Sequence, residues 1–185
     1  MDETAAAAET DDVNRIRLIL FILCVGITSL SGDRPFAAET PAQAALRIWQ
    51  GMETAVLRVE RPDGSTQPLN VRVADDLAER RQGMQYLPAT TIQAHPIWFV
   101  FPEPTTSGWH MTNVAAALDI VWADSRGYVV KVERMEPAQT GYVSAPQARF
   151  ALEMAAGEAR RLRIQPGTRL SLMAQPSGDI RPDGR

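Results

Sequence analysis

Four side chains close together in the chain could carry chemistry: Trp109, His110, Asn113 and Asp119, all within residues 97–124, IWFVFPEPTTSGWHMTNVAAALDIVWAD. His110, one of two histidines in the chain, has an ordinary pKa suited to proton transfer near neutrality. Trp109 offers an aromatic face, Asn113 a carboxamide that donates and accepts, and Asp119 a carboxylate within an otherwise apolar run. As a set they would line a cleft for a small polar ligand. In a hydrolase-like enzyme, His110 would act as base and Asp119 would orient it.

The same residues have structural uses. Asn and Asp side chains bond to nearby backbone, so Asn113 could pin the link 112–116 while Asp119 holds it from the next strand. On a straight strand His110 shares a face with Gly108 and Thr112, opposite Trp109, Met111 and Asn113. It meets Asn113 only where the strand bends or ends near Met111. A Ser107, His110, Asp119 triad can be written down, but no nucleophile elbow surrounds Ser107. His95, His110, Glu103 and Asp119 supply a ligand count without the paired spacing of metal sites, so no metal is expected. Glu103 lies between two prolines and reads as turn chemistry rather than as half of a glycosidase pair with Asp119. Trp98 and Trp122 read as core or rim aromatics. Gly-rich phosphate loops and dinucleotide fingerprints are missing, so no cofactor is expected.

Short strands must position these groups. Residues 55–61 alternate apolar and polar, 62–65 (PDGS) turn, and 69–73 alternate again, which predicts a β-hairpin. Asp75 and Asp76 precede a short helix over 77–84 that ends near Gly83. Residues 97–101, nearly continuous in apolar character, suit a central strand covered on both faces. Further strands are predicted over 107–111, 117–123, 128–133, 148–154 and 169–173, with a hairpin turn at 124–127 and a helical turn at 158–162. The fold class is therefore mainly β, a compact antiparallel barrel or sandwich with two short helices.

Composition places this domain within the chain. With 185 residues, 45% of them hydrophobic, the sequence is long enough for one well-buried domain. Arg15 and Arg17 precede ten apolar residues, 18–27, and then the small polar run 28–32, the pattern of a secretory signal peptide. An apolar run of that length is short for a spanning helix, which needs about 20 residues. Residues 1–31 are expected to be a signal peptide or short N-terminal anchor, 32–49 a linker, 50–174 a single β-rich domain and 175–185 a disordered tail. The acidic prefix 1–12 is foreign to such a leader, and a start near Val13 would leave VNRIR as its basic end. After Ser31 the chain carries 17 basic and 17 acidic residues. That balance offers no footprint for nucleic acid and no polybasic stretch for anionic lipid, so the membrane is met only through the N-terminal segment. The single cysteine, Cys24, lies in the apolar run, which excludes disulfides and thiolate chemistry from a processed form.

From about residue 69 to 172 the chain resembles the domain-of-unknown-function 192 family. The resemblance is carried by VRVADDLAERRQGM, by FVFPEP with WHMTNVAAALDIVWADSRGYVV, and by FALEMAAGEARRLRIQPGTRL. It implies a compact β-rich fold, frequent export and no established activity. Asn113 and Asp119 match the family pattern, whereas His110 stands for a usual aromatic, Thr112 for a lysine and Ala117 for a proline. A basic residue usual after Gly83 has no counterpart in Met84, Gln85, Tyr86 and Leu87.

Two functions are carried forward. The first is an exported, periplasmic or extracytoplasmic binding or accessory module for a small polar ligand or an envelope protein. The alternative is the hydrolase-like enzyme using His110 and Asp119. A blander use of the domain is to stabilise a membrane-associated complex through its sheet face.

Overall fold

Thr40, Pro41 and Gln43 start the first element. The Thr40 hydroxyl accepts from Gln43 N and the Gln43 side chain accepts from Thr40 N, a capping box followed by proline at the position that needs no N–H. Helix α1 (Pro41–Gly51) follows and buries Ala45 and Trp49, four residues apart on one face. The computed structural model describes residues 38–174. The expected signal segment 1–31 and tail 175–185 lie outside them. The linker expected over 32–49 is corrected from Pro41 onward. Its Pro, Ala and Thr content reads as linker, yet the capping box and the buried Trp49 make it part of the folded unit, which begins at Glu39.

Strands β1 (Glu53–Glu60) and β2 (Thr66–Ala74) form the predicted antiparallel hairpin. Asp63 Oδ1 accepts from Ser65 N at 2.8 Å and fixes its turn. Helix α2 (Leu77–Gln82) opens on an Asp76/Glu79 capping box and stops at Gly83, whose φ of 46° lies in the left-handed region. Helix α3 (Ala89–Ala94) was not anticipated. The chain then runs through β3 (Ile97–Thr105), β4 (Gly108–His110), β5 (Leu118–Ala123) and β6 (Val129–Met135), as predicted. An unanticipated β7 (Thr140–Val143) precedes β8 (Ala148–Ala155), helix α4 (Glu158–Arg161) and β9 (Arg169–Leu172).

Seven strands form one sheet in the order β6-β5-β8-β3-β2-β1-β9, and β4 with β7 forms a separate two-stranded sheet. The expected mainly β class holds in a coarser form: among the described residues there is a seven-stranded mixed sheet, with one parallel pairing where only antiparallel ones were expected, and four short helices rather than two. The mixture has a cause. Residues 75–96, with α2 and α3, carry the chain back across so that β3 enters parallel to β2, pairing Arg72, Val73 and Ala74 with Ile97, Trp98 and Phe99. The outermost strands of the order are tied at one point. Tyr128 and Arg169 form a bridge, Val129 N donates to Thr168 O and Leu170 N donates to Gly127 O, each at 2.8 Å.

Alternation on the central strands builds two apolar clusters. Ile97, Phe99, Ile120 and Trp122 enter one with Trp49, Met84 and Met111, while Trp98, Val121, Leu152 and Met154 enter the other with Leu57, Val73 and Leu170. All six residues of β5 are buried, as is β3 from Ile97 to Phe99, because both faces are covered. On β8 the same alternation puts Ala151 and Glu153 opposite Leu152 and Met154. A carboxyl therefore points toward the first cluster.

Candidate functional site

Glu153 is the residue that makes a site here. Its register partners on the flanking strands are Ile97 of β3 and Ile120 of β5, so the side chain leaves the sheet between two apolar neighbours. The residue is 6% exposed, and its Oε2 is buried without a hydrogen-bond partner among the described residues. Burial pushes the Glu153 carboxyl up from 4.5 to about 8, since nothing nearby compensates its charge. At neutral pH the group is held protonated.

The carboxyl lies at a cavity of about 250 Å³ lined by Arg80, Arg81, Gly83, Trp109, His110 and Glu153. Phe99 and Trp109 supply aromatic lining, with their rings edge to face at 5.0 Å. Trp109 also meets Phe101 and Trp122 edge-on, and its Nε1 donates to Ser107 Oγ at 3.0 Å, which fixes the ring. Arg80 is turned to structural work, donating to Val100 O at 3.0 Å and to Asp75 O. The side chains of Arg81 and His110 have no hydrogen-bond or ion-pair partner among the described residues, and both are exposed. The cavity thus joins a dry, neutral carboxyl to an aromatic wall and a rim of free donors.

Of the four sequence-predicted site residues, the fold brings two together. Trp109 and His110 share this cavity because β4 ends there. His110 is its last residue, its pairing with Thr140 shifted by an irregularity after Trp109. Asn113 stands at a turn with φ 62°, where Nδ2 donates to the Tyr86 hydroxyl and its carbonyl accepts from Tyr86 N, both at 2.7 Å. Its side chain serves a structural use, as expected, but it ties the turn to Tyr86 after α2 rather than making a bond within the link 112–116.

Asp119 is elsewhere. It lines a different cavity, about 690 Å³, with Arg61, Glu133, Arg134, Arg163 and others. Its Oδ1 accepts from Arg134 Nε at 2.9 Å, and its Oδ2 accepts from Gly157 N at 2.7 Å and Ala159 N at 3.1 Å. That carboxylate ties β5 to the start of α4 rather than holding the 112–116 link. It makes no bond to His110, and the written Ser107, His110, Asp119 triad is not assembled. Ser107 Oγ accepts from the indole of Trp109 instead. Among the described residues no three His, Cys, Asp or Glu side chains gather as a metal site would require. His95 caps α3 and meets the Trp49 ring at 5.2 Å, and Glu103 is an exposed residue of β3.

Glu153, Arg81 and Gly83 were not singled out in the sequence. The available signal was a lone acid, Glu153, between Leu152 and Met154 in a run that alternates apolar residues onto both faces of a covered strand. A glutamate there must be buried, and a buried glutamate without a partner calls for a ligand or a neutral state.

Comparison with solved structures finds the same fold in other proteins. One, named for a proposed transcription regulator from Sinorhizobium meliloti 1021, is 27% identical with a TM-score of 0.61. That match covers 65% of this chain and 95% of that one. Another, a protein of unknown function from Novosphingobium aromaticivorans DSM 12444, is 21% identical with a TM-score of 0.60, covering 65% and 86%. None of the curated proteins is significantly similar in sequence. Residues 58–172 match the family model DUF192, described as "Uncharacterized ACR", and the chain belongs to that family.

Proposed function

We propose that the protein is an exported cell-envelope module that binds a small polar ligand in the cavity floored by Glu153. One observation carries this reading: a glutamate whose Oε2 is buried without a partner among the described residues lines a hollow together with the unengaged Arg81 and His110. A protein that used this glutamate only for packing would be better served by an apolar residue, because burying an unsatisfied polar group costs about 1–3 kcal/mol. The basic, apolar and small-residue pattern of segment 1–31 supports export. The hydrolase-like alternative loses its orienting group, since Asp119 is engaged by Arg134, Gly157 and Ala159.

The test is a thermal-shift screen of the purified protein against amino acids, amines, carboxylates and sugars at millimolar concentration, repeated with Glu153→Gln and Trp109→Ala. A compound that raises Tm only when both residues are intact supports the binding reading. A panel without any such compound, together with a stoichiometric envelope protein captured through the sheet face, overturns it. Export is checked by N-terminal sequencing of protein recovered from periplasmic extract.

A further inference from the structure

We infer that the Glu153 cavity takes a small zwitterion of amino-acid type, its ammonium on the Glu153 carboxylate and its carboxylate toward Arg81 and His110. This deepens the binding reading and rests on it. An enclosed carboxyl is satisfied either by staying protonated or by meeting a cation, and among the described residues no cation reaches Glu153. Arg80 is committed to the carbonyls of Val100 and Asp75, and Arg81 is exposed at the rim. The partner cation must therefore come from the ligand. Phe99 and Trp109 favour one, because aromatic faces attract an ammonium group. On the exposed part of the lining the free guanidinium of Arg81 offers the fork that suits a carboxylate, and the imidazole of His110 adds a donor.

Size narrows the choice. A cavity of about 250 Å³ has room for about eight waters at their share of liquid volume. That matches a free amino acid with a short side chain. Glycine suits position 83 in this lining, because a Cβ there would stand 3.3 Å from Glu153 Oε2.

Binding of this kind has a protonic signature. Burial retains the Glu153 proton to about pH 8, whereas an ammonium ion pairs only with the carboxylate. Near pH 7 the incoming ligand must therefore displace about one proton to solvent, and affinity rises about tenfold per pH unit up to about 8. The other charged and titratable groups lining the cavity are Arg80 and Arg81 from α2 and His110 from β4. The adjacent strands place Ile97 and Ile120 beside Glu153.

The experiment is isothermal titration of the full chain at pH 6, 7 and 8 with glycine, alanine and serine, in two buffers of different ionisation enthalpy. N-acetylglycine serves as the probe without an ammonium group and methylamine as the probe without a carboxylate. Expected are binding of at least one amino acid, a buffer-dependent enthalpy at pH 7 equal to about one proton released, and loss of both in Glu153→Gln. Arg81→Ala, an exposed substitution that leaves the fold alone, should weaken amino-acid binding about tenfold and leave methylamine unchanged. N-acetylglycine binding as tightly as glycine, or an enthalpy indifferent to buffer, overturns the zwitterion assignment while a Glu153-dependent ligand of another class preserves the broader binding reading. Failure of every probe here and in the wider screen overturns both.

Discussion

Gly83 stands over Glu153 so closely that the first side-chain carbon of any other residue would lie 3.3 Å from the buried Oε2. The end of α2 and the middle of β8, seventy positions apart in the chain, thus control one carboxyl. Its protonation is written into the stability of the fold. The unfolded chain releases the Glu153 proton near 4.5 and the folded one near 8, so between these values the folded state holds one proton more. Stability contributed by this group is full below the lower value and falls as pH rises through the window. Glu153→Gln has no such proton. Urea denaturation at pH 5 and pH 8 should show the variant gaining on wild type by an amount on the order of a few kcal/mol at the higher pH. A gap that does not widen with pH would mean the carboxyl has a partner.

Asp119 should behave as a structural anchor. Asp119→Ala strands two backbone N–H groups, at Gly157 and Ala159, and frees Arg134. We expect a loss of about 2–4 kcal/mol, with Asp119→Asn losing less because one acceptor oxygen remains. Ligand affinity measured at the Glu153 cavity should be unchanged in any variant that folds. An affinity loss larger than the stability loss would return Asp119 to the site.

Arg61 is 8% exposed and spans three acceptors. Its Nε donates to Leu162 O at 2.9 Å, Nη1 to Ser65 Oγ at 3.1 Å and Nη2 to Gln67 Oε1 at 2.7 Å. Only a planar fork serves all three, so Arg61→Lys should recover little of the roughly 2–4 kcal/mol lost in Arg61→Ala. Chemical denaturation of the two variants decides it, and recovery of most of the stability by lysine would show that charge alone matters.

Trp49 tests whether α1 belongs to the domain. Its ring lies against Arg72, whose guanidinium carbon is 4.4 Å from the ring centroid, and against His95. Trp49→Ala should cost about 3–5 kcal/mol, the range for truncating a buried tryptophan. A true linker would lose almost nothing.

Two glycines of similar φ separate strain from collision. Gly64, at φ 80°, has open space around a built Cβ, whereas at Gly127, φ 83°, that carbon would fall 2.2 Å from Leu170 O. Gly64→Ala should lose about 1 kcal/mol for its left-handed backbone. Gly127→Ala must also displace Leu170, and thermal melts should show a clearly larger fall in Tm.

Most of the strands were legible because period-two alternation and turn residues are local signals. The β1–β2 hairpin, the Asp76 cap and the 124–127 turn all follow from neighbours in the chain. The parallel entry of β3 beside β2 was not legible, since strand direction depends on how residues 75–96 travel, and short α3 carries little periodicity. The site was half legible for the same reason. Trp109 and His110 are adjacent in sequence and stayed together, whereas His110 and Asp119 were parted by the bend after β4. Glu153 joined Trp109 only through the pairing of β8 between β3 and β5, a contact that no local window contains.

The single tie at Tyr128 and Arg169 has a consequence for life at high concentration. The outer edges of a sheet present unpaired N–H and C=O groups that can template pairing with another molecule. Here the donors of Val129 and Leu170 are already spent on Thr168 and Gly127. Both margins are thus blunted where they meet, and another molecule's strand cannot pair with the N–H groups of Val129 and Leu170.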